Sequence, residues 1–386
     1  PLMSVGSPVT GLGILEITNF FSQEFTLVSS DDGPLSWTGL LSYTHQKVDA
    51  PGFNISFPLL NLATNSVATV VTDALGVGGQ ATYSWNGLRL TGGARYSTET
   101  KSLEKDQTYA NGILTGSATD NKTWASVTPK LVVDYSPDRH NMLYASVTKG
   151  FKSGGYNTVA IQPAFAPETA INYEAGIKSR LLDDRLFLNL AAFYTKYNDM
   201  QVSIVLNGPG GMYSEIKNAA RATSKGIEAS IAVKPTSRLE LSGGLQLLDA
   251  RFDEFVTIDP QNPAQGAADR KGNPLSRAPD TTANLAAQYS WPAASGAVTL
   301  RGEGSYRSKI YYTAFRNDYA SDAGLTVWNA LLSYEPFGKT GFYGTAFVKN
   351  LGDKTYTKAI FDPQGLGYLA YYAPARTLGI QLGYRY

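Results

Sequence analysis

The sequence of 386 residues lacks cysteine and contains only two histidines. The absence of cysteine excludes disulfide bonds, thiolate metal sites and cysteine nucleophiles. The histidines, at positions 45 and 140, form no ligand pair for a metal site, which also weakens the case for haem binding. The net charge of +1 gives no indication of nucleic-acid binding.

Charge and long apolar runs are both scarce. Charged residues make up 17% of the chain, whereas about 25% is usual in a soluble domain. No run approaches the roughly 20 apolar residues of a transmembrane helix, because the most apolar stretch, residues 67–79, is interrupted by Thr, Asp and Gly. If much of the surface faces lipid, the chain must cross the membrane as a β-barrel, whose strands satisfy each other's backbone groups.

Alternation of apolar and polar residues is the main pattern that the sequence does contain. The last ten residues, 377–386, alternate without interruption and end on an aromatic side chain. About 9 to 11 tilted residues are needed to cross a bilayer, more than in the usual strand of a soluble protein. The two-residue period predicts fifteen antiparallel strands, at 19–29, 35–46, 78–85, 88–98, 124–135, 142–150, 170–180, 186–198, 219–233, 239–251, 282–291, 298–307, 325–334, 342–351 and 376–386.

The polar faces of these strands carry charged residues, which predicts a water-filled interior. The residues predicted to line this lumen are Arg89, Arg95, Glu228, Glu240, Arg301, Glu303 and Arg307. The arginines could bind an anionic ligand or carboxylates of a plug, or they could pair with glutamates on neighbouring strands. The alternative fold is a large soluble barrel or sandwich with its apolar faces inside. The aromatic residues predicted to form girdles at headgroup depth are Tyr144, Tyr194, Tyr306, Tyr334 and Tyr384.

Short and long connections alternate between the predicted strands, and the long ones include residues 45–77, 99–122 and 199–217. Bacterial outer-membrane barrels have tight periplasmic turns and long external loops, so we expect a periplasmic C-terminus. The first predicted strand then runs inward, and an even strand count requires at least one earlier strand. Residues 1–17 include Pro8 and lack clean alternation, so we interpret them as an extracellular loop remnant that precedes the barrel portion at residues 18–386.

A series of motifs accompanies the strands in a fixed order. The most distinctive is residues 144–157, where a strand leads into Gly-Phe-Lys-Ser-Gly-Gly-Tyr-Asn. Further motifs are 22–25, 128–131, 167–169, 173–178, 192–194, 199–201, 225–228, 277–279, 349–356 and 374–379. The ordered series resembles the TonB-dependent outer-membrane receptors. The resemblance implies a barrel of about 22 strands around a plug, of which this chain would supply the final fifteen strands without plug or TonB box.

The resemblance implies a receptor of the bacterial outer membrane that takes up a scarce nutrient, for which we expect a ferric siderophore. Its partners would be outer-membrane lipid, the small-molecule ligand and the TonB-ExbB-ExbD complex, which would act through the missing plug. The ferric chelate would be cargo, and neither a cofactor nor enzymatic activity is expected. A passive pore of about sixteen strands is the alternative. An outer-membrane hydrolase would need His140 near a serine, whereas a solvated turn residue is the simpler interpretation.

Aromatic residues in the long loops are candidates for ligand capture, since flat rings offer contact area at low entropic cost. They are Phe151, Tyr156, Tyr311, Tyr312, Phe315, Tyr368, Tyr371 and Tyr372. Packing of loop against loop is the alternative. A set of carboxylates at positions 249, 253, 254 and 259 could hold Ca²⁺ or could simply be solvated.

Overall fold

Backbone pairing between consecutive strands builds nearly the whole molecule. The computed structural model describes residues 11–30, 32–57, 62–109, 114–158, 161–208, 211–259, 261–338, 340–361 and 369–386. Among these residues, no helix has the length and apolarity that a membrane crossing requires. The strands are β1 (Gly11–Val28), β2 (Leu35–Phe57), β3 (Leu62–Trp85), β4 (Leu88–Tyr109), β5 (Leu114–Tyr135), β6 (Asn141–Lys152), β7 (Glu168–Leu181), β8 (Leu186–Gly208), β9 (Gly211–Val233), β10 (Leu239–Ile258), β11 (Ala267–Asp269), β12 (Thr281–Ala293), β13 (Gly296–Arg307), β14 (Ile310–Tyr311), β15 (Ser321–Asp322), β16 (Leu325–Pro336), β17 (Gly341–Lys349), β18 (Thr357–Phe361), β19 (Leu369–Tyr372) and β20 (Thr377–Arg385).

Fifteen of these strands form one antiparallel sheet in which sequence neighbours pair. The order is β1-β2-β3-β4-β5-β6-β7-β8-β9-β10-β12-β13-β16-β17-β20, with β11 paired to β10 as a sixteenth strand. Each of the fifteen predicted strands corresponds to one member of this order, so the predicted all-β antiparallel fold is confirmed. The two small pairs β14-β15 and β18-β19 lie in the connections that follow β13 and β17.

Several strands extend far beyond their predicted ends. β2, β3 and β4 have 23, 24 and 22 residues, about twice the 9 to 11 that cross a bilayer. Long loops predicted at residues 45–77, 99–122 and 199–217 are therefore wrong over most of their length, because these segments continue the β2-β3, β4-β5 and β8-β9 pairing. Pairing through the backbone does not require alternation, which disappears once neither face contacts lipid.

The start of the chain also differs from its prediction. β1 begins at Gly11, and the pairs Ile14↔Phe53 and Ile17↔Asp49 place residues 11–17 in the sheet instead of a loop. Residues 1–10 lie outside the described residues. For residues 1–10, the interpretation as a loop remnant stays a prediction.

The two faces of the sheet differ in chemistry as the alternation predicts. On β12 and β13, Leu285 and Leu300 are about half exposed, at 54% and 49%, on the apolar face. Their chain neighbours Asn284 and Arg301 lie on the opposite face, where polar side chains line a cavity. Tyr144 is an exception among the predicted girdle residues, because its hydroxyl donates to Glu174 on the polar face, at 2.7 Å.

Tight turns join the strands at the end that is predicted to be periplasmic. The two-residue turn between β3 and β4 has Asn86 at φ +47° and Gly87 at φ +79°, the conformation that Asn-Gly adopts readily. A Cβ at Gly87 would lie 2.4 Å from the carbonyl oxygen of Ser136. Glycine is therefore required there by both backbone conformation and space.

Candidate functional site

A cavity of about 1230 Å³ occupies the polar side of the sheet. Strands β6 to β13 supply most of its wall, and residues of the connection between β17 and β20 border it. The charged residues among its lining are Glu174, Lys178, Glu228, Arg307, Lys349 and Lys358. Arg307 is paired with Asp322, which does not line the cavity, so three lysines and two glutamates leave a balance of one positive charge, which suits an anionic ligand.

The predicted lumen residues are mostly held by specific partners. Arg89 pairs with Asp134 on the neighbouring strand at 2.7 Å, and Arg95 donates to the hydroxyl of Ser42 at 2.8 Å. Arg301 pairs with Glu303 on its own strand at 2.6 Å.

The predicted pairing of arginines with glutamates across strands is wrong in its partners. Glu228 accepts a hydrogen bond from Gln246 at 2.9 Å, and Glu240 pairs with Lys234 at 3.7 Å. Arg307 is bound to the loop residue Asp322, at 2.8 Å. Strand alternation identifies the face of a residue, but it does not give the reach of its side chain.

A segment between β6 and β7 crosses the polar side of the sheet near the extended ends of β3, β4 and β9. We call residues 153–158 and 161–167 the strap. Lys101 donates to the carbonyl oxygen of Gly154 at 2.8 Å, and Ser66 donates to that of Thr158 at 2.8 Å. The strap is thereby attached to the inner faces of β3 and β4.

The strap is also attached to β9. Asn157 accepts from the backbone N–H of Ile216 at 2.7 Å, and the side chain of Asn218 donates to the carbonyl oxygen of Ala166 at 2.7 Å. Both partners belong to β9. One segment therefore joins the extensions of β3 and β4 to that of β9, which holds the β2-β3, β4-β5 and β8-β9 hairpins in a fixed relation.

Lys105 is buried beneath the strap, on the part of β4 that extends beyond the membrane band. Its ammonium group donates to the carbonyl oxygen of Asn157 at 3.4 Å. Burial lowers the pKa of Lys105 to about 8, because a desolvated ammonium is less stable. Sequence reasoning missed Lys101, Lys105 and Asn218 because they lie in extensions without alternation.

The loop after β13 is held by an analogous set of contacts. The carboxylate of Asp322 binds Arg307 and also accepts from the backbone N–H of Thr357, at 3.0 Å. The hydroxyl of Tyr312 donates to the carbonyl oxygen of Thr357 at 2.6 Å. These bonds join the β14-β15 pair to β18 at the border of the cavity.

The predicted ligand-binding aromatics fall into different environments. Tyr156 and Tyr312 are both 8% exposed, and Tyr156 packs edge-on against Trp124 with ring centroids 6.0 Å apart. Their burial favours the alternative of loop packing. Phe151 lies on β6 two residues from Lys149, on the outer, apolar face.

The remaining predicted aromatics are closer to solvent. Tyr371 and Tyr372 are each 62% exposed on β19. Tyr311 lies 4.8 Å from the ammonium of Lys309, and Phe315 lies under a guanidinium. Tyr368 lies outside the described residues. A ligand-binding role for this set stays a prediction.

The acidic residues considered for Ca²⁺ are separated and have other partners. Asp249 binds Arg251 at 2.5 Å, Asp253 accepts from Thr223 at 2.7 Å, and Glu254 binds Arg221. Asp259 accepts from the backbone N–H of Gln261 at 3.0 Å. Over the described part of the chain, no group of three or more His, Cys, Asp or Glu side chains is arranged to hold a metal ion.

The only histidine in a predicted periplasmic turn, His140, has turn residues as partners. Arg139 donates to its Nε2 at 2.8 Å, and its Nδ1 lies 3.9 Å from a carboxylate oxygen of Asp184. These contacts agree with the interpretation of a solvated turn residue.

The family is decided by comparison with known sequences. A family model described as "TonB dependent receptor-like, beta-barrel" matches residues 6–351. The chain belongs to the TonB-dependent receptor family. Its barrels are proteins of the bacterial outer membrane, and the resemblance carried by the ordered motifs is confirmed.

Individual relatives of this chain are longer than the part that aligns with it. The metal-pseudopaline receptor CntO of Pseudomonas aeruginosa is 29% identical over 245 residues, which cover 62% of this chain and 31% of CntO. The ferric yersiniabactin uptake receptor FyuA of Yersinia pestis superimposes with a TM-score of 0.81 at 19% identity, covering 97% of this chain and 55% of FyuA. The siderophore receptor PiuA of Acinetobacter baumannii gives 0.71 at 18% identity, covering 98% of this chain and 57% of PiuA. The solved structures establish a shared fold, and the chain spans less than a third of CntO.

Proposed function

We propose that this receptor chain forms part of the wall of an outer-membrane transporter that takes up an anionic metal chelate, in the first place a ferric siderophore. The observation that carries the proposal is the cationic border of the cavity. Lys349 and Lys358 lie there on separate strands, together with Tyr356. Carboxylate or catecholate groups that chelate a metal leave negative charge at the ligand surface, which these ammonium groups would bind.

The names of three similar proteins support this ligand class. CntO is a metal-pseudopaline receptor, FyuA is a ferric yersiniabactin uptake receptor, and PiuA is a siderophore receptor. Energy would come from the TonB-ExbB-ExbD complex through a plug, and the tight turns and the C-terminus would face the periplasm. No enzymatic step is proposed, since the family is one of receptors.

Replacing both Lys349 and Lys358 with alanine should weaken uptake of anionic ferric chelates. Two lost charge contacts, each worth about 1 kcal/mol, correspond to roughly a tenfold or greater rise in the half-saturating chelate concentration. The measurement is uptake of radioactive iron chelates by cells that produce the complete protein. Lys354→Ala is the matched control, because Lys354 lies in the same connection and does not line the cavity.

The same assay separates the receptor from a passive pore. Uptake by the receptor should require TonB and saturate with chelate concentration. Uptake that persists without TonB, together with a stable open conductance in planar bilayers, would establish the pore instead. Equal half-saturation for the double variant and the unmodified protein would contradict the proposed role of the cavity border.

A further inference from the structure

A row of five positions, three of them basic, crosses the outer face of the sheet, one step beyond a row that contains two tyrosines. Strand registers align one residue from each of β6, β7, β8, β9 and β10 in this row. They are Lys149, Ile171, Lys196, Thr223 and Arg251. We call this set the cationic row.

The rows on its tight-turn side establish the depth of the cationic row. The adjacent row consists of Val147, Tyr173, Tyr194, Lys225 and Asp249. The next consists of Ala145, Ala175, Ala192, Ile227 and Leu247. Aromatic rings at the edge of an apolar band mark the headgroup level of a membrane. The cationic row therefore lies at or just above the lipid headgroups.

Not every cation in this region is neutralised by a carboxylate. Asp249 contacts both Arg251 and Lys225, at 2.5 and 3.6 Å. Among the described residues, neither Lys149 nor Lys196 has an ion-pair partner, and the ammonium of Lys196 lies 5.8 Å from the ring centroid of Tyr194. Two strand spacings, about 10 Å, separate the two lysines along the row. Long flexible stems allow both ammonium groups to reach anions at this level.

Other nearby acidic groups have their own partners. Asp253 accepts from Thr223, and Glu254 binds Arg221. The corresponding rim on β2 and β3 is balanced internally, because Lys47 pairs with Asp49 at 3.0 Å and Asp73 accepts from Tyr43 at 2.7 Å. Excess positive charge at this level is therefore found on β6–β10.

We propose that the cationic row binds the phosphate groups of an anionic lipid in the outer leaflet of the membrane. Lys149 and Lys196 supply the charge, the Tyr194 ring contacts the Lys196 ammonium group, and the apolar rows contact the acyl chains. The site is separate from the cavity and faces the opposite side of the sheet. The assignment to the outer leaflet rests on the orientation proposed above, in which the tight turns face the periplasm.

The test compares lipid binding to the complete receptor and to its Lys149→Ala/Lys196→Ala variant. Native mass spectrometry of the purified protein, titrated with lipid A and with chemically dephosphorylated lipid A, measures both affinities. Because two charge contacts with phosphate are removed, the double variant should bind lipid A at least tenfold more weakly. Its affinity for the dephosphorylated lipid should be unchanged. Lys47→Ala, which removes a lysine already paired on β2, should leave both affinities within about twofold.

Each other outcome overturns the proposal. Equal lipid A affinity in the variant and the unmodified protein would show that the row does not bind phosphate. An equal loss of affinity for both lipids would indicate that the substitutions change the structure of the sheet, which circular dichroism of the same samples would reveal. Competition by millimolar inorganic phosphate would assign the row to a free anion. An error in the proposed uptake function would leave these affinities unaffected, and external labelling of loop residues tests the orientation separately.

Discussion

Replacing Gly154 with alanine should detach the strap from the inner face of the sheet. A Cβ at this position would lie 2.4 Å from the carbonyl oxygen of Phe165 and 2.5 Å from the Trp124 ring. The carbonyl belongs to the backbone, so a rotamer change cannot remove the collision. We expect a cost of about 1 to 3 kcal/mol for this overpacking, which would appear as hydrogen exchange about 5 to 150 times faster in the strap.

The reporter groups for this experiment are the two backbone amides that pair Gly155 with Phe165, at 3.2 and 2.9 Å. Gly150 supplies the matched control within the same motif. A Cβ there would meet its nearest neighbour, Ala170, at 3.9 Å, an ordinary contact. Gly150→Ala should leave strap exchange unchanged, and equal exchange rates in both variants would contradict the packing described for the strap.

Replacing Leu285 with arginine should destabilise the sheet in a membrane by about 2 to 4 kcal/mol, the cost of a cation on a lipid-facing strand position. Leu285 lies on β12 between the levels of Tyr289, on the same strand, and of Tyr306, which lies on β13 and pairs with Ala283 of β12. These rings border the apolar band on either side of it. The measurement is reversible urea unfolding of the complete protein in lipid vesicles.

Asn284→Arg is the control for that substitution, since it introduces the same side chain one residue earlier. Asn284 lines the cavity, where an arginine can be hydrated, and a change within about 0.5 kcal/mol is expected. Equal destabilisation by both variants would mean that the two faces do not differ in solvent. A larger effect at Asn284 would place lipid on the face described as the lumen.

The part of each strand inside the membrane could be predicted because two different solvents act on its two faces. Residues 298–307 were predicted as a strand, and β13 occupies Gly296–Arg307. Lipid on one side and water on the other impose the two-residue period directly on the sequence. The tight turn between β3 and β4 can be predicted equally well, since Asn86 and Gly87 determine its conformation locally.

The outer extensions and the strap contacts could not be predicted in the same way. Beyond the membrane band, β2 and β3 continue to pair while side chains such as Ser66 are buried by the strap, so no simple period remains. The motif of residues 144–157 was visible, but Lys101 and Gly154, which bond to each other, are 53 residues apart. The pattern of a single sequence does not reveal contacts between residues so far apart in the chain. For Tyr156 the sequence therefore leaves both ligand capture and loop packing open.

The central claim is that water lies on the polar face of these strands and hydrocarbon on the apolar face. Because the chain has no cysteine, single cysteines introduced one at a time at residues 298–307 can each be labelled uniquely with a membrane-impermeant thiol reagent in intact outer membranes. We expect labelling at positions 299, 301, 303 and 305 and protection at 298, 300, 302 and 304. The reverse pattern, with reactive cysteine at position 300 and protection at 301, would contradict the account.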